Sequence, residues 1–250
     1  IFIGTKPPVS FFAYPNRPSV LSPEGAIIMR LANERVDAED TLRRLADTLD
    51  APDQPVNVQT RKELPVVEDG RLDQTTLGII TAQLLPENAI VSDEGVSSGG
   101  QVYRYSVGAL KHDWMTITGG AIGQGLPLAT GAAIACPDRK VIALQADGSA
   151  MYTVQALWTM ARENLDVTVI ILKNNSYGIL NIELDRVGVT APGPKALSLL
   201  DLSNPVIDWV AMSNSMGVPA QSANTIQEFR AALSAALAHN GPRLVEAVLN

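Results

Sequence analysis

Residues 141–180 read VIALQADGSAMYTVQALWTMARENLDVTVIILKNNSYGIL, and this stretch decides the fold. Its first segment, VIAL, is apolar and runs through Gln145 into Ala146-Asp147-Gly148-Ser149. A second segment, VTVIIL (167–172), runs into Lys173-Asn174-Asn175-Ser176-Tyr177-Gly178. Between them Thr153 to Glu163 carries a helical pattern. Strands that are apolar nearly throughout, alternating with helices, predict a parallel sheet covered on both faces. In an open sheet of this kind ligands bind beyond the carboxyl ends of the strands. Both polar clusters fall at such ends. One strand–helix–strand unit therefore brings Asp147 and Asn174 side by side, although they stand 27 positions apart.

The same alternation extends outward. Gln74–Leu84 predicts a helix, stopped by Pro86-Glu87-Asn88. AIVSDEG, from Ala89, predicts a strand and turn, and Gly125–Ala135 a helix of small residues. Ile207–Met216 predicts another helix. A last helix opens at Thr225, where Glu228 completes a capping box, and ends at Asn240-Gly241-Pro242. LVEAVL then predicts a closing strand. The expected class is α/β, an open parallel sheet with helices on both faces.

The N-terminal part differs. IFIG and AIIMRLA read as strands, separated by a stretch with five prolines that must be extended or looped. Leucines at 42, 45 and 49 mark a helix over Asp37–Leu49. This region reads as the end of a domain. The expected division is a domain remnant over 1–50, a linker rich in Pro, Gln and charge over 51–71, and the sheet domain over 72–250. IFIG is an odd natural start, so a preceding segment is expected.

Composition narrows the function. A net charge of −7 argues against a nucleic-acid partner. No apolar run reaches the roughly 18–20 residues that span a bilayer, and no signal peptide is visible, so no membrane partner and a cytoplasmic location are expected. The single cysteine, Cys136, excludes an intrachain disulfide and reads as a structural thiol. His112, in an expected loop, and His239, near a helix end, suggest no chemistry.

The two clusters suit a magnesium diphosphate. Mg²⁺ takes hard oxygen ligands and shares its octahedron with phosphate oxygens. Asp147 offers a carboxylate, Asn174 an amide oxygen and the turn a carbonyl. Gly148 lets the backbone approach a phosphate, and the Gly148 and Ser149 amides open a helix, where anions are favoured. Either cluster alone also fits an ordinary turn or helix cap; the two at successive strand ends favour the ligand.

These residues resemble the thiamine-diphosphate enzymes of the acetolactate synthase and benzoylformate decarboxylase type. The family signature is Gly-Asp-Gly, about 25 residues, then Asn-Asn. DGSAMYTVQALWTMARENL and KNNSYGIL are similar to it, and the likeness covers roughly 72–250. It implies the pyrophosphate-binding domain, with the N-terminal piece as the exit from a middle domain. The metal ligands it implies are Asp147 and Asn174 by side chain and Ser176 by backbone carbonyl. Asn175 is not a ligand in this alignment, which Tyr177 and Gly178 fix. Two departures stand out. Ala146 replaces a glycine, which is tolerable at negative φ; Lys173 replaces the first asparagine and is left to form an ion pair or face solvent.

TGGAIGQGLPLATGAA, with Gly120 and Ile122, resembles the stretch whose large apolar residue supports the bent cofactor; that residue aligns with Ile122. In SDEGVSSGG, Gly95, Val96 and Ser97 align with a turn that touches the diphosphate, while Glu94 reads equally as a turn acid. Ile179 and Leu180 align with positions near the reacting carbon. The resemblance implies thiamine diphosphate and Mg²⁺ as cofactors and a small 2-oxo acid as substrate. It also implies a homo-oligomer, dimer or tetramer. The glutamate that activates the cofactor belongs to a pyrimidine-binding domain, not recognisable here and expected from another chain or a missing segment. A 2-hydroxyacyl- or oxalyl-CoA-type thiamine lyase and a non-catalytic cofactor-fold subunit remain alternatives.

Overall fold

A computed structural model describes residues 1–58 and 60–249. Gln59 of the expected linker and Asn250 of the expected sheet domain lie outside the described residues. The chain divides into two compact units, Ile1–Thr60 with Glu183–Thr190, and Arg61–Ile182 with Ala191–Asn250.

In the first unit β1 (Phe2–Ile3) pairs in parallel with β2 (Arg30–Ala32), and α1 (Ala38–Thr48) follows. Asp37 starts α1 by accepting the Asp40 N–H at 3.0 Å. Tyr14 donates to Glu183 at 3.1 Å within the same unit.

The second unit is the α/β sheet. Its elements in chain order are α2 (Gln74–Leu84), β3 (Ala89–Glu94), α3 (Gly100–Ser106), β4 (His112–Thr116), α4 (Gly125–Ala135) and β5 (Val141–Ala146). Then come α5 (Asp147–Ala150), α6 (Ala156–Arg162), β6 (Val167–Lys173), α7 (Gly178–Arg186, of which Glu183 onward belongs to the first unit) and α8 (Pro194–Ser198). α9 (Trp209–Ser215), β7 (Ala220–Ala223), α10 (Ile226–Ala238) and β8 (Arg243–Val248) complete it. Six strands pair in the order β4-β3-β5-β6-β8-β7, every pair parallel. The sheet is thus the parallel α/β sheet that the alternation predicts.

Alternate residues of each strand supply the two faces. Val91, Ile142, Leu144, Ile170 and Leu172 join a core under α2 and α10 that includes Phe229. Ile90, Val141, Ala143, Val169 and Ile171 join another that includes Leu157 and Trp209. β5 and β6 are buried throughout apart from Ala146, as near-continuous apolar runs require. The capping box at Thr225 is present on both sides, and Gly241 has φ 114 beyond the helix end. Several elements differ from expectation: α3, α7 and α8 are not among the expected helices, and the strand expected over AIIMRLA is confined to β2. The helix expected over 153–163 begins only at Ala156, because α5 and a turn intervene. His112 opens edge strand β4 rather than a loop. Edge strand β7 reads AQSA, too short and polar for an apolar-run signal.

The chain runs from β3 outward to β4 and then crosses back to β5. The order reverses between β3 and β5, and such a switch point leaves a crevice at the carboxyl ends of the two strands. Glu94 ends one of them and Ala146 the other.

Candidate functional site

The register that pairs Ala146 with Leu172 sets the ends of β5 and β6 level, and Asp147 bridges the gap. Its Oδ2 accepts the N–H of Asn174 at 3.1 Å and of Asn175 at 2.6 Å; its Oδ1 accepts that of Gly148 at 2.9 Å. The residue is 1% exposed. Burial pushes its pKa above the ordinary carboxylate range, and the N–H groups of Asn175, Gly148 and Asn174 oppose that rise. The Gly148 amide, expected to face an anion, here serves this carboxylate.

The loop after β6 is shaped by its own side chains. Asn174 Oδ1 accepts the Ser176 N–H at 2.9 Å, and Asn175 takes φ 54, a conformation asparagine tolerates. A second segment clasps this loop. Tyr177 donates its N–H to the Leu200 carbonyl and Leu202 donates to that of Asn175, both at 2.9 Å; Ser176 Oγ donates to Leu200 O at 3.2 Å. No local pattern over 199–203 announces this pairing.

A cavity of about 40 Å³ opens beside the loop, lined by Val96, Ser97, Ile122, Ala146, Gly148, Ser149, Ser176, Tyr177, Gly178 and Ile179. The fold thus brings together four separate segments singled out in the sequence. Asp147 and Asn174 are tied to this lining by the hydrogen bonds above. Gly95 and Gly120 stand outside it. A Cβ on Gly95 would lie 2.6 Å from Gly99 Cα, so its bareness serves the packing of the turn. Gly120 is exposed at φ 71, and Leu180 is 46% exposed. Val96 holds φ 46, a conformation a β-branched residue rarely adopts. A Cβ on Gly148 would lie 2.5 Å from Tyr177 Cε1, so only glycine lets that ring close over the turn. Burial raises the Tyr177 hydroxyl pKa, and Tyr152 and Asp147 add to it.

Both departures from the signature are accommodated. Ala146 has φ −71, where a methyl costs nothing. Lys173 is buried and forms the ion pair, 2.6 Å from Glu246 Oε1, with the Ile207 carbonyl at 2.9 Å. Sequence reasoning left Glu94 undecided. Its carboxylate is buried and accepts the N–H of Gly123 at 2.7 Å and that of Gly125.

Among the described residues no three His, Cys, Asp or Glu side chains converge on one point. Asp147 offers the carboxylate, Asn174 an amide oxygen and Ser176 a carbonyl. A donor set with one negative charge suits a hard cation that completes its octahedron with water and phosphate oxygens, as Mg²⁺ does. The donor chemistry therefore fits a magnesium diphosphate.

Comparison with known proteins identifies a thiamine pyrophosphate-binding domain. The family profile described as "Thiamine pyrophosphate enzyme, C-terminal TPP binding domain" matches residues 98–247. A Mycobacterium tuberculosis (strain H37Rv) protein that carries the name acetolactate synthase large subunit IlvX is 49% identical over 252 residues, 100% of this chain and 48% of that one. Benzoylformate decarboxylase of Pseudomonas aeruginosa (strain PAO1) is 34% identical over 180 residues, 72% of this chain and 33% of that one. Among solved structures, a thiamine diphosphate-dependent 4-hydroxybenzoylformate decarboxylase of Rhodococcus jostii RHA1 superposes with a TM-score of 0.77 at 27% identity, over 99% of this chain and 48% of that one. The chain thus spans half or less of the length of these relatives. No helix of the described residues is long and apolar enough to cross a membrane.

Proposed function

Because this chain belongs to the thiamine pyrophosphate enzyme family through its C-terminal cofactor-binding domain, we propose that it forms the Mg²⁺- and diphosphate-binding half of an enzyme acting on a small 2-oxo acid. The reaction class is decarboxylation or carboligation, of the acetolactate synthase or benzoylformate decarboxylase type. The observation that carries the reading is the joining of Asp147 to the Asn174–Ser176 loop across the ends of β5 and β6, at the rim of the cavity.

In this reading Asp147, Asn174 and the Ser176 carbonyl hold the metal. Ser97, Gly148, Ser149, Tyr177 and Gly178 line the place of the diphosphate, the Gly148 and Tyr177 N–H groups being held by Asp147 and the Leu200 carbonyl. Gly95, Val96 and Gly120 shape the turns around it. Ile122 supports the cofactor from the side, and Ile179 faces the reacting carbon. Bound there, thiamine diphosphate supplies a thiazolium that takes up the electron pair released when a 2-oxo acid loses carbon dioxide. The cavity is small, about 40 Å³. It encloses one end of a ligand, and we assign the rest of the cover, with the activating glutamate, to a pyrimidine-binding domain of another chain or segment, within a homo-oligomer. The chain by itself is then inactive.

The test is calorimetric titration of the chain with thiamine diphosphate, with and without Mg²⁺, and with Asp147→Ala as control. Magnesium-dependent binding that the substitution abolishes supports the reading. Silence that persists when a pyrimidine-binding domain is added sinks it, leaving a cofactor fold without the cofactor.

A further inference from the structure

The stretch that carries Ile122 is poorly suited to holding a side chain still. Gly119, Gly120 and Gly123 have φ values of 64, 71 and 92, and Gly125 follows. Glycine gives such a segment wide conformational freedom. Of its own contacts only the Thr118 N–H, 3.1 Å from Gln124 Oε1, is of ordinary length. Ala121 donates to the Thr118 carbonyl at 3.3 Å, and Gln124 Nε2 to that of Thr116 at 3.4 Å. Ile122 nonetheless lines the cavity.

What tightens the stretch comes from below. The Glu94 carboxylate spans Gly123 and Gly125: Oε1 accepts the first N–H at 2.7 Å and Oε2 accepts the second. Ser92, on the same face of β3, donates its hydroxyl to the Gly125 carbonyl at 2.9 Å. Gly125 is also walled in. A Cβ there would press on Gln145 Nε2 and lie 2.9 Å from Glu94 Oε2. Glu94 is 1% exposed and, among the described residues, makes no ion pair. Burying an unpaired carboxylate is costly, and a simple turn needs no such group.

We infer that Glu94 is a positioning residue: its carboxylate locks the Gly123–Gly125 backbone and so fixes Ile122 against the cofactor end of the crevice. The inference rests on the thiamine diphosphate reading for the purpose of the clamp, and on the hydrogen bonds alone for its existence. Ile122 immediately precedes the first anchored amide, so a free Gly123 would let its side chain swing away from the cavity.

Two measurements test it. Amide hydrogen exchange in the ligand-free chain is expected to show Gly123 and Gly125 protected roughly a hundredfold over Gly119 and Gly120, with the difference lost in Glu94→Gln. Thiamine diphosphate with Mg²⁺ is then titrated into wild type, Glu94→Gln, Ile122→Ala and the double variant, with the pyrimidine-binding domain present wherever wild type needs it. Glu94→Gln is expected to weaken binding about tenfold in the wild-type background and not at all in Ile122→Ala, since the clamp acts through that side chain. An equal loss in both backgrounds, or exchange unchanged by Glu94→Gln, overturns the inference. Should Glu94→Gln not fold, the wild-type exchange pattern decides, and unprotected Gly123 and Gly125 amides overturn it. Protected amides in a wild-type chain that never binds the cofactor would instead reject the functional reading and leave the clamp in place.

Discussion

The Lys173 ammonium lies 2.6 Å from the Glu246 carboxylate, both side chains buried between neighbouring strands, one residue before the proposed metal ligand Asn174. Where the resemblance places the first asparagine of the signature, this chain has half of an internal ion pair. Removing one partner of such a pair strands the other charge away from water. Lys173→Met is therefore expected to cost about 3 kcal/mol in urea unfolding. The double variant with Glu246→Leu is expected to recover most of that. A harmless single substitution would show that the pair is solvated.

Gly148 touches the Tyr177 ring so closely that no side chain fits between them. Gly148→Ala should displace the ring and the loop behind it. The expected outcome is loss of thiamine diphosphate binding with a destabilisation of about 1–3 kcal/mol, as for an overpacked site. Retained affinity would mean that the ring can move without cost.

Asp93, at the end of β3, accepts the Gly95 N–H at 2.9 Å. Burial raises its pKa above 3.8, with the Gly95 N–H and the Trp114 side chain opposing. The native state therefore holds the proton more tightly than the unfolded chain. Stability attributable to this group is present below the unfolded pKa and is lost as pH rises through the folded one. Asp93→Asn should flatten the decline in unfolding free energy as pH rises above about 4. An unaltered pH profile would remove Asp93 as its source.

Asp147 is also raised, with burial the largest cause. A proton and a metal ion compete for its oxygens. Magnesium-dependent binding should accordingly weaken on acidification at a higher pH than an ordinary aspartate would set. Calorimetry at a series of pH values checks this, and binding undiminished down to about pH 4 would contradict it.

Thr225 and Glu228 cap α10 reciprocally. Thr225→Ala should cost about 1 kcal/mol, read as a shift of the thermal midpoint with cofactor affinity unchanged. A change in affinity would tie α10 to the site by a route the hydrogen bonds do not reveal.

The parallel sheet was legible because its signals are local. VIAL and VTVIIL are buried on both faces, so they lack polar alternation, and the helices between them carry their own starts and stops. The capping box at Thr225 was readable for the same reason. Strands β4 and β7 were not, because at sheet edges HDWMT and AQSA stay partly exposed and need no apolar run. Asp147 and Asn174 could be paired on paper because their strands are consecutive and parallel. The Leu200–Leu202 clasp, the Lys173–Glu246 ion pair and the Glu94 clamp under Gly123 and Gly125 could not. Each joins groups 23 to 73 positions apart that no periodicity relates. Residue types announce which groups can donate and accept; only the register of the sheet and the path of the turns bring particular donors within reach of particular acceptors.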